Sequence, residues 1–233
     1  MFDPTHSVCG IRNFVEFLEL CSGCKVIEYS LRPLTNPGDN YGSVFQAVEV
    51  KVVAKSDFEE AELLHLVAKT AVTNPYLVDI FQPALTFVKE THFYLDVIPA
   101  IEHFERISNV PECDRIDAFI RCFGSRISLN PGFVFLNAKC ADADAVVLLE
   151  NTKLLNYVNG DRQVGFNAEE TLAILKTLAK FHALGIAIRR LQPTLFDARV
   201  SPSPYLEAAN LILNDDDTQM VDLNTHCSEG ILQ

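Results

Sequence analysis

The chain has 233 residues and is 48% hydrophobic, enough for one large domain or two lobes around a real core. Lys and Arg total 19 against 31 Asp and Glu, a net charge of −12, which argues against a broad nucleic-acid or anionic-membrane surface but leaves room for one basic pocket that takes a phosphate. No uncharged apolar run is long enough for a membrane span, and the start, Met-Phe-Asp-Pro-Thr-His, lacks the basic and apolar parts of a signal peptide, so neither membrane nor secretion is expected.

The first element is a short amphipathic helix. Ile11, Phe14, Val15, Leu18 and Cys21 repeat at helical spacing, and Gly23 stops the pattern. The chain holds 7 cysteines, an odd number, and without a secretion signal they are expected to be free thiols in a reducing compartment, the cytoplasm. Cys21-Ser-Gly-Cys24 has C-x-x-C spacing, but no second pair follows for zinc, and the pair closes a helix where a redox motif would open one. Two ordinary thiols are the expectation.

A meander of strands comes next. Ile27, Tyr29 and Leu31 alternate with polar neighbours and predict a first strand. After the loop 33–43, Val44, Gln46, Val48 and Val50 face one way and Phe45, Ala47, Glu49 and Lys51 the other, which predicts a second, half-buried strand. Residues 63–68 are apolar except for His65, as expected of a strand covered on both sides, and Lys69 ends the run. A lysine in this place has two readings. Its stem covers apolar surface while the ammonium reaches water, or it holds nucleotide phosphates as in kinases.

Asn74-Pro75 breaks the pattern, and residues 82–106 turn helical, with Phe87, Thr91, Tyr94, Ile98 and Ile101 on one stripe and Pro99 placed to kink or split the helix. Glu90, one turn before Tyr94, reads by itself as a solvated helix charge. Residues 111–130 show no clear period. Residues 133–140 and 145–150 read as two strands joined by a turn at 141–144, giving five strands with one helix inserted after the third. Farther on, Asn167 and Glu170 have the spacing of a capping box and open a helix to about residue 190. Leu172, Leu175, Ala179, His182 and Ile186 form its stripe, and His182 is expected as a satisfied core histidine rather than a ligand. Residues 205–213 suit a short helix, and Asp215-Asp216-Asp217 suits a solvated turn better than a metal cluster.

Several motifs together resemble one family. Gly-Asp-Asn-Tyr-Gly-Ser-Val at 38–44 resembles the glycine-loop equivalent of the insect ecdysteroid kinase-like proteins, relatives of choline kinases and aminoglycoside phosphotransferases. Leu66-Val67-Ala68-Lys69 resembles their ATP-lysine strand, and Phe87-Val88-Lys89-Glu90 with Phe93-Tyr94 and Pro99 resembles the helix of the partner glutamate. Val147-Leu148-Leu149-Glu150-Asn151 resembles the hinge strand. Asp161-Arg162 with Gly165, and Leu178-Ala179-Lys180-Phe181-His182-Ala183, resemble the next loop and helix, so the motifs fall in family order from 38 to 183.

The resemblance implies an α+β, protein-kinase-like fold, with a small lobe at 1–149, a hinge at 150–152 and the start of a helical large lobe at 153–233. It implies that ATP is held by backbone around Asn40, Tyr41, Gly42 and Ser43, by Lys69 paired with Glu90, and by backbone from Leu149 through Glu150 to Asn151. The reaction implied is phosphoryl transfer from ATP, with Mg2+, to a hydroxyl of a small-molecule alcohol such as an ecdysteroid.

Asp39, Gly42 and Asn151 depart tolerably from the family pattern. A larger departure follows. The family's His-Gly-Asp-x-x-x-x-Asn loop and its metal-binding Asp-Phe-Gln are absent from 182–233, where the one later histidine, His226, precedes Cys-Ser-Glu, and Asp222 sits in Val-Asp-Leu-Asn. No catalytic residue and no magnesium ligand is therefore assigned. The chain is expected to be the amino-terminal half of a kinase, nearly inactive by itself, with the apolar face of the 168–190 helix short of its normal packing. The alternative is a non-catalytic pseudokinase fragment that binds a partner.

Overall fold

The computed structural model describes residues 10–35, 42–54, 60–130, 134–135, 138–161 and 163–201. Asn40, Tyr41, and the segments 205–213 and 215–217 lie outside the described residues.

Helix α1, Phe14–Ser22, ends where Gly23 takes φ 71°, a left-handed turn that costs glycine little. Strands β1 (Lys25–Pro33), β2 (Ser43–Val53) and β3 (Glu62–Ala71) follow as an antiparallel meander. Two further strands, β4 (Cys122–Arg126) and, later in the chain, β7 (Val146–Glu150), complete a five-stranded sheet in the order β1-β2-β3-β7-β4, antiparallel throughout. Strand alternation gives the sheet two apolar faces. Phe14, Phe17 and Leu18 of α1 pack on one, against Val48, Val50, Leu66 and Leu148. Each such side chain stabilises by roughly 1.5–3 kcal/mol on full burial. The other face, with Ala71, Val147 and Leu149, is covered by Phe87 and Val88.

The count of five strands agrees with the sequence, but one strand is different. The described residues among 133–140 do not join the five-stranded sheet. They form a separate antiparallel pair, β5 (Val134–Phe135) and β6 (Ala138–Lys139). The missing strand is β4, from the segment without a readable period. Gly124 and a register shift between Cys122 and Gly124 erase its alternation. Lys69 does not end its strand either, because Thr70 and Ala71 continue the pairing with β2.

The helical stretch after β3 begins earlier than expected. Asn74 accepts the Tyr76 N–H through its side chain and Pro75 takes the first helical position, opening helix α2 at Pro75–Phe81. Helix α3 (Pro83–His92) runs through a π-helical turn at Phe93–Val97 into α4 (Ile98–Ile107). The turn precedes Pro99, whose ring would clash with an α-helical carbonyl and which lacks an N–H to give, so the wider turn is the local solution. Buried Glu105 on α4 accepts the Ile116 N–H and so fixes the connection toward β4.

Helix α5, Ala168–Leu191, starts with the expected capping box. Its apolar stripe, however, is largely uncovered. Every residue from 168 to 179 is exposed, Leu172, Leu175 and Ile186 are each more than half exposed, and His182 is exposed rather than a core residue. By length and composition α5 is long and apolar enough to cross a membrane. Its second half packs within the protein instead: Ile188 is buried with Ile101 and Phe104, and a short helix α6 (Pro193–Leu195) and a second π-helical turn (Phe196–Val200) fold back against it.

Candidate functional site

The sheet register sets the site. Phe45 lies opposite Lys69 on one side and Val147 opposite it on the other, so Lys69 rises from the face that α3 covers. On α3, Phe87 is buried in that face and Glu90 follows at i+3, on the same side of the helix. The Lys69 Nζ donates to Glu90 Oε2 at 2.5 Å, and about a fifth of each side chain remains accessible. The rings of Phe45 and Phe87 flank the ammonium at 5.8 and 5.6 Å. A charge-assisted bond in this partly dry place fixes the cation while leaving it reachable.

The groups around the pair stay neutral. Burial pushes the Cys122 thiol up to about 11, and the Glu90 carboxylate adds to the effect. Burial likewise raises the Tyr94 hydroxyl, again with help from Glu90. Next to Glu90, the Thr91 hydroxyl bonds to the Ser125 hydroxyl at 2.6 Å, and Ser125 donates to the Val146 carbonyl at 3.2 Å. These bonds tie the helix of Glu90 to β4 and β7.

Ser43 opens β2 opposite Ala71, two residues before Phe45 on the same face, hence about 7 Å along the strand. Gly42 precedes it and sits against α2, where a Cβ would lie 3.2 Å from the Phe81 ring. At the far end of β7, the Glu150 N–H donates to the Arg121 carbonyl and the Asn151 N–H to the His65 carbonyl. Asn151 is 6% exposed, and its Oδ1 is buried with no partner. The fold thus gathers Ser43, Lys69 and Glu90 at one place and sets Glu150 at the end of the strand beside Lys69, with Asn151 directly after it.

A nucleotide fits this arrangement. A tethered, accessible cation stands beside the start of β2, and an unsatisfied buried acceptor stands at the end of β7. Among the described residues there is no group of three or more His, Cys, Asp or Glu that could hold a metal ion. Cys21 and Cys24 are free thiols, Cys21 raised by burial to about 11.

Sequence reasoning missed the Thr91–Ser125 tie, because Ser125 lies in the segment with no readable period. It also passed over Phe45 and Phe87 as neighbours of the cation; the sequence shows only that Phe45 alternates on one face of its strand and that Phe87 begins the stripe of its helix.

The model of the ecdysteroid kinase-like family matches residues 37–215, most of the chain. No curated protein matches, and no solved structure does.

Proposed function

Because the chain belongs to the ecdysteroid kinase-like family, whose members are kinase-like small-molecule phosphotransferases, we propose that these residues form the nucleotide-binding half of such an enzyme. The observation that carries the reading is the Lys69–Glu90 pair at 2.5 Å, flanked by two aromatic rings and still partly accessible. In this reading Lys69 neutralises the α- and β-phosphates of ATP and Glu90 keeps the ammonium in place. Backbone amides from Asn40 to Ser43 cover the phosphates. The chain from Leu149 to Asn151 lies beside the adenine, at a hinge of residues 150–152 between a small lobe at 1–149 and the start of a large one at 153–233; because the Glu150 and Asn151 N–H groups are already given to the Arg121 and His65 carbonyls, the polar group left for the base is the buried Asn151 Oδ1. Magnesium, when bound, would supply further positive charge at the phosphates; none of the described residues is assigned to hold it. The acceptor is a hydroxyl of a small molecule of steroid-like character.

Residues 182–233 contain no His-Gly-Asp and no Asp-Phe-Gln. We therefore propose that these 233 residues by themselves bind nucleotide with little or no turnover, since positioning and metal charge supply most of phosphoryl-transfer catalysis. A second reading, a non-catalytic module that binds a partner, draws on the uncovered apolar stripe of α5. The test is titration of the chain with a fluorescent ATP analogue, with ATP hydrolysis followed in parallel. Saturable binding that Lys69→Ala abolishes, without turnover, supports the first reading. Binding unaffected by Lys69→Ala overturns it.

A further inference from the structure

The helix that carries Glu90 is gripped a turn and a half further on by the chain beyond α5. Glu90 and Asp96 lie on one continuous helix, six residues or about 9 Å apart. Asp96 sits in the π-helical turn Phe93–Val97. Its Oδ1 accepts from Arg199 Nη1 at 2.5 Å, and its Oδ2 bonds to His92 Nδ1 at 3.2 Å. Arg199 lies in the second π-helical turn, Phe196–Val200, so the two π-helical turns among the described residues are joined through one carboxylate. Beside this bond, Phe93 packs edge-on against Phe119 and Phe181, at 5.7 and 6.1 Å. The Glu90 helix is thus tied to the sheet by Thr91 and Ser125 directly after the glutamate, and five residues further on it is held by the segment after α5.

A π-turn in a helix re-aims the residues that follow it, and such turns concentrate at functional sites. Here the turn brings Asp96 to the side where Arg199 waits, 103 positions later in the chain. A helix is stiff over six residues, so a shift or rotation at Asp96 is passed on to Glu90. We propose that Arg199 is a positioning residue of the Lys69–Glu90 site: through Asp96 it fixes the Glu90 helix to the chain beyond α5, and nucleotide affinity depends on that bond. The proposal rests on the nucleotide-binding reading above. It adds that the phosphate site is not a property of the sheet and its helix alone, but is set by a residue that touches neither phosphate nor lysine.

More than half of the Arg199 side chain is exposed, so its replacement leaves the core intact. The experiment uses the whole 233-residue chain and two readouts, the dissociation constant for a fluorescent ATP analogue and hydrogen exchange of the 84–97 amides. The proteins are the unaltered chain, Lys69→Ala, Arg199→Glu, Arg199→Lys, and the exchanged pair Asp96→Arg with Arg199→Asp. Exposed ion pairs are modest, so the expected loss for Arg199→Glu is about two- to fivefold in affinity, together with faster exchange across 84–97. Arg199→Lys and the exchanged pair restore both, which a purely structural effect of losing the arginine would not produce. If the unaltered chain binds, Lys69→Ala does not, and Arg199→Glu matches the unaltered chain in affinity, the inference is overturned and the nucleotide reading stands. If the unaltered chain and Lys69→Ala bind alike, the nucleotide reading fails and takes the affinity claim with it.

Discussion

Lys69 and Glu90 are 21 positions apart in the chain and meet at 2.5 Å, with Phe87 one helical turn before the carboxylate and 5.6 Å from the ammonium. The carboxylate therefore does not merely neutralise the lysine; it fixes which way the ammonium points. Glu90→Gln keeps the shape and one oxygen acceptor but removes the charge. Charge-assisted bonds are roughly twice as strong as neutral ones, so the lysine should be less well held. Affinity for an ATP analogue is expected to fall about tenfold, less than for Lys69→Ala. Equal affinity in Glu90→Gln and the unaltered chain would mean that the lysine needs no partner to bind phosphate.

Gly124 is the second position where one atom decides. A Cβ there would lie 2.2 Å from the Cys21 sulfur and 3.1 Å from its Cβ, at the bulge of β4 where α1 crosses the sheet. Gly124→Ala therefore forces the helix and the strand apart. Overpacking of this kind costs about 1–3 kcal/mol, read as a lower denaturation midpoint. Cys21→Ala removes the sulfur but not the Cβ, so the double variant should recover part of the loss. The non-additivity of the two changes is the diagnostic quantity. Additive losses would place the glycine's importance in the bulge backbone and not in this contact.

These two sites show where the sequence was legible and where it was not. The faces of β2 followed from period-two alternation, β3 followed from its continuous apolar run, and the capping box of Asn167 and Glu170 followed from spacing, because all three are local rules. Strand β4 was illegible: Cys-Phe-Gly-Ser-Arg carries a glycine and a register shift, so no alternation survives. Helix α2 was missed because Asn74-Pro75 reads equally as a chain break and as a cap followed by a first-turn proline. The pairing of Lys69 with Glu90 has no local signature. It became visible only through the order of motifs along the chain, and the Asp96–Arg199 bond had no signal at all. For α5, periodicity told which side was apolar but could not tell whether anything covers it.

Acid should weaken the contact between α1 and the turn before β7. Arg12 grips Asp144 with both ends of its guanidinium, its Nε at 2.6 Å from Oδ1, and Arg126 donates to the Asp144 carbonyl at 3.0 Å. The hydrogen bond from Arg12 holds the Asp144 carboxyl below its usual range. A carboxylate with a lowered folded pKa stabilises the fold in full above its unfolded value, near pH 4, and loses that contribution as pH falls through the folded value. Arg12→Ala returns Asp144 toward the ordinary range. Urea midpoints at pH 7 and pH 3 should then fall less for Arg12→Ala than for the unaltered chain. Parallel falls would show that the pair contributes nothing to the acid limb.

The last prediction concerns α5, whose two halves are held differently. The second half is anchored through Ile188 and its neighbours, while every residue from 168 to 179 is exposed. Without packing, the first three turns depend on local terms: the Asn167 side chain on the Glu170 N–H at 2.9 Å, the Glu170 side chain on the Asn167 N–H at 2.9 Å, and the two glutamates in the first turn, which suit the positive end of the helix dipole. An N-cap replaced by alanine costs about 1 kcal/mol. In a buried helix that loss is shared by the whole fold. Here it should fall on the exposed half alone. Asn167→Ala is expected to raise hydrogen exchange of amides 168–179 about fivefold, leaving amides 184–191 and the sheet unchanged. If exchange in 168–179 is already slow and Asn167→Ala does not alter it, a partner or another part of the chain covers the stripe of Leu172, Leu175 and Leu178, and the uncovered half of α5 is an interface in solution.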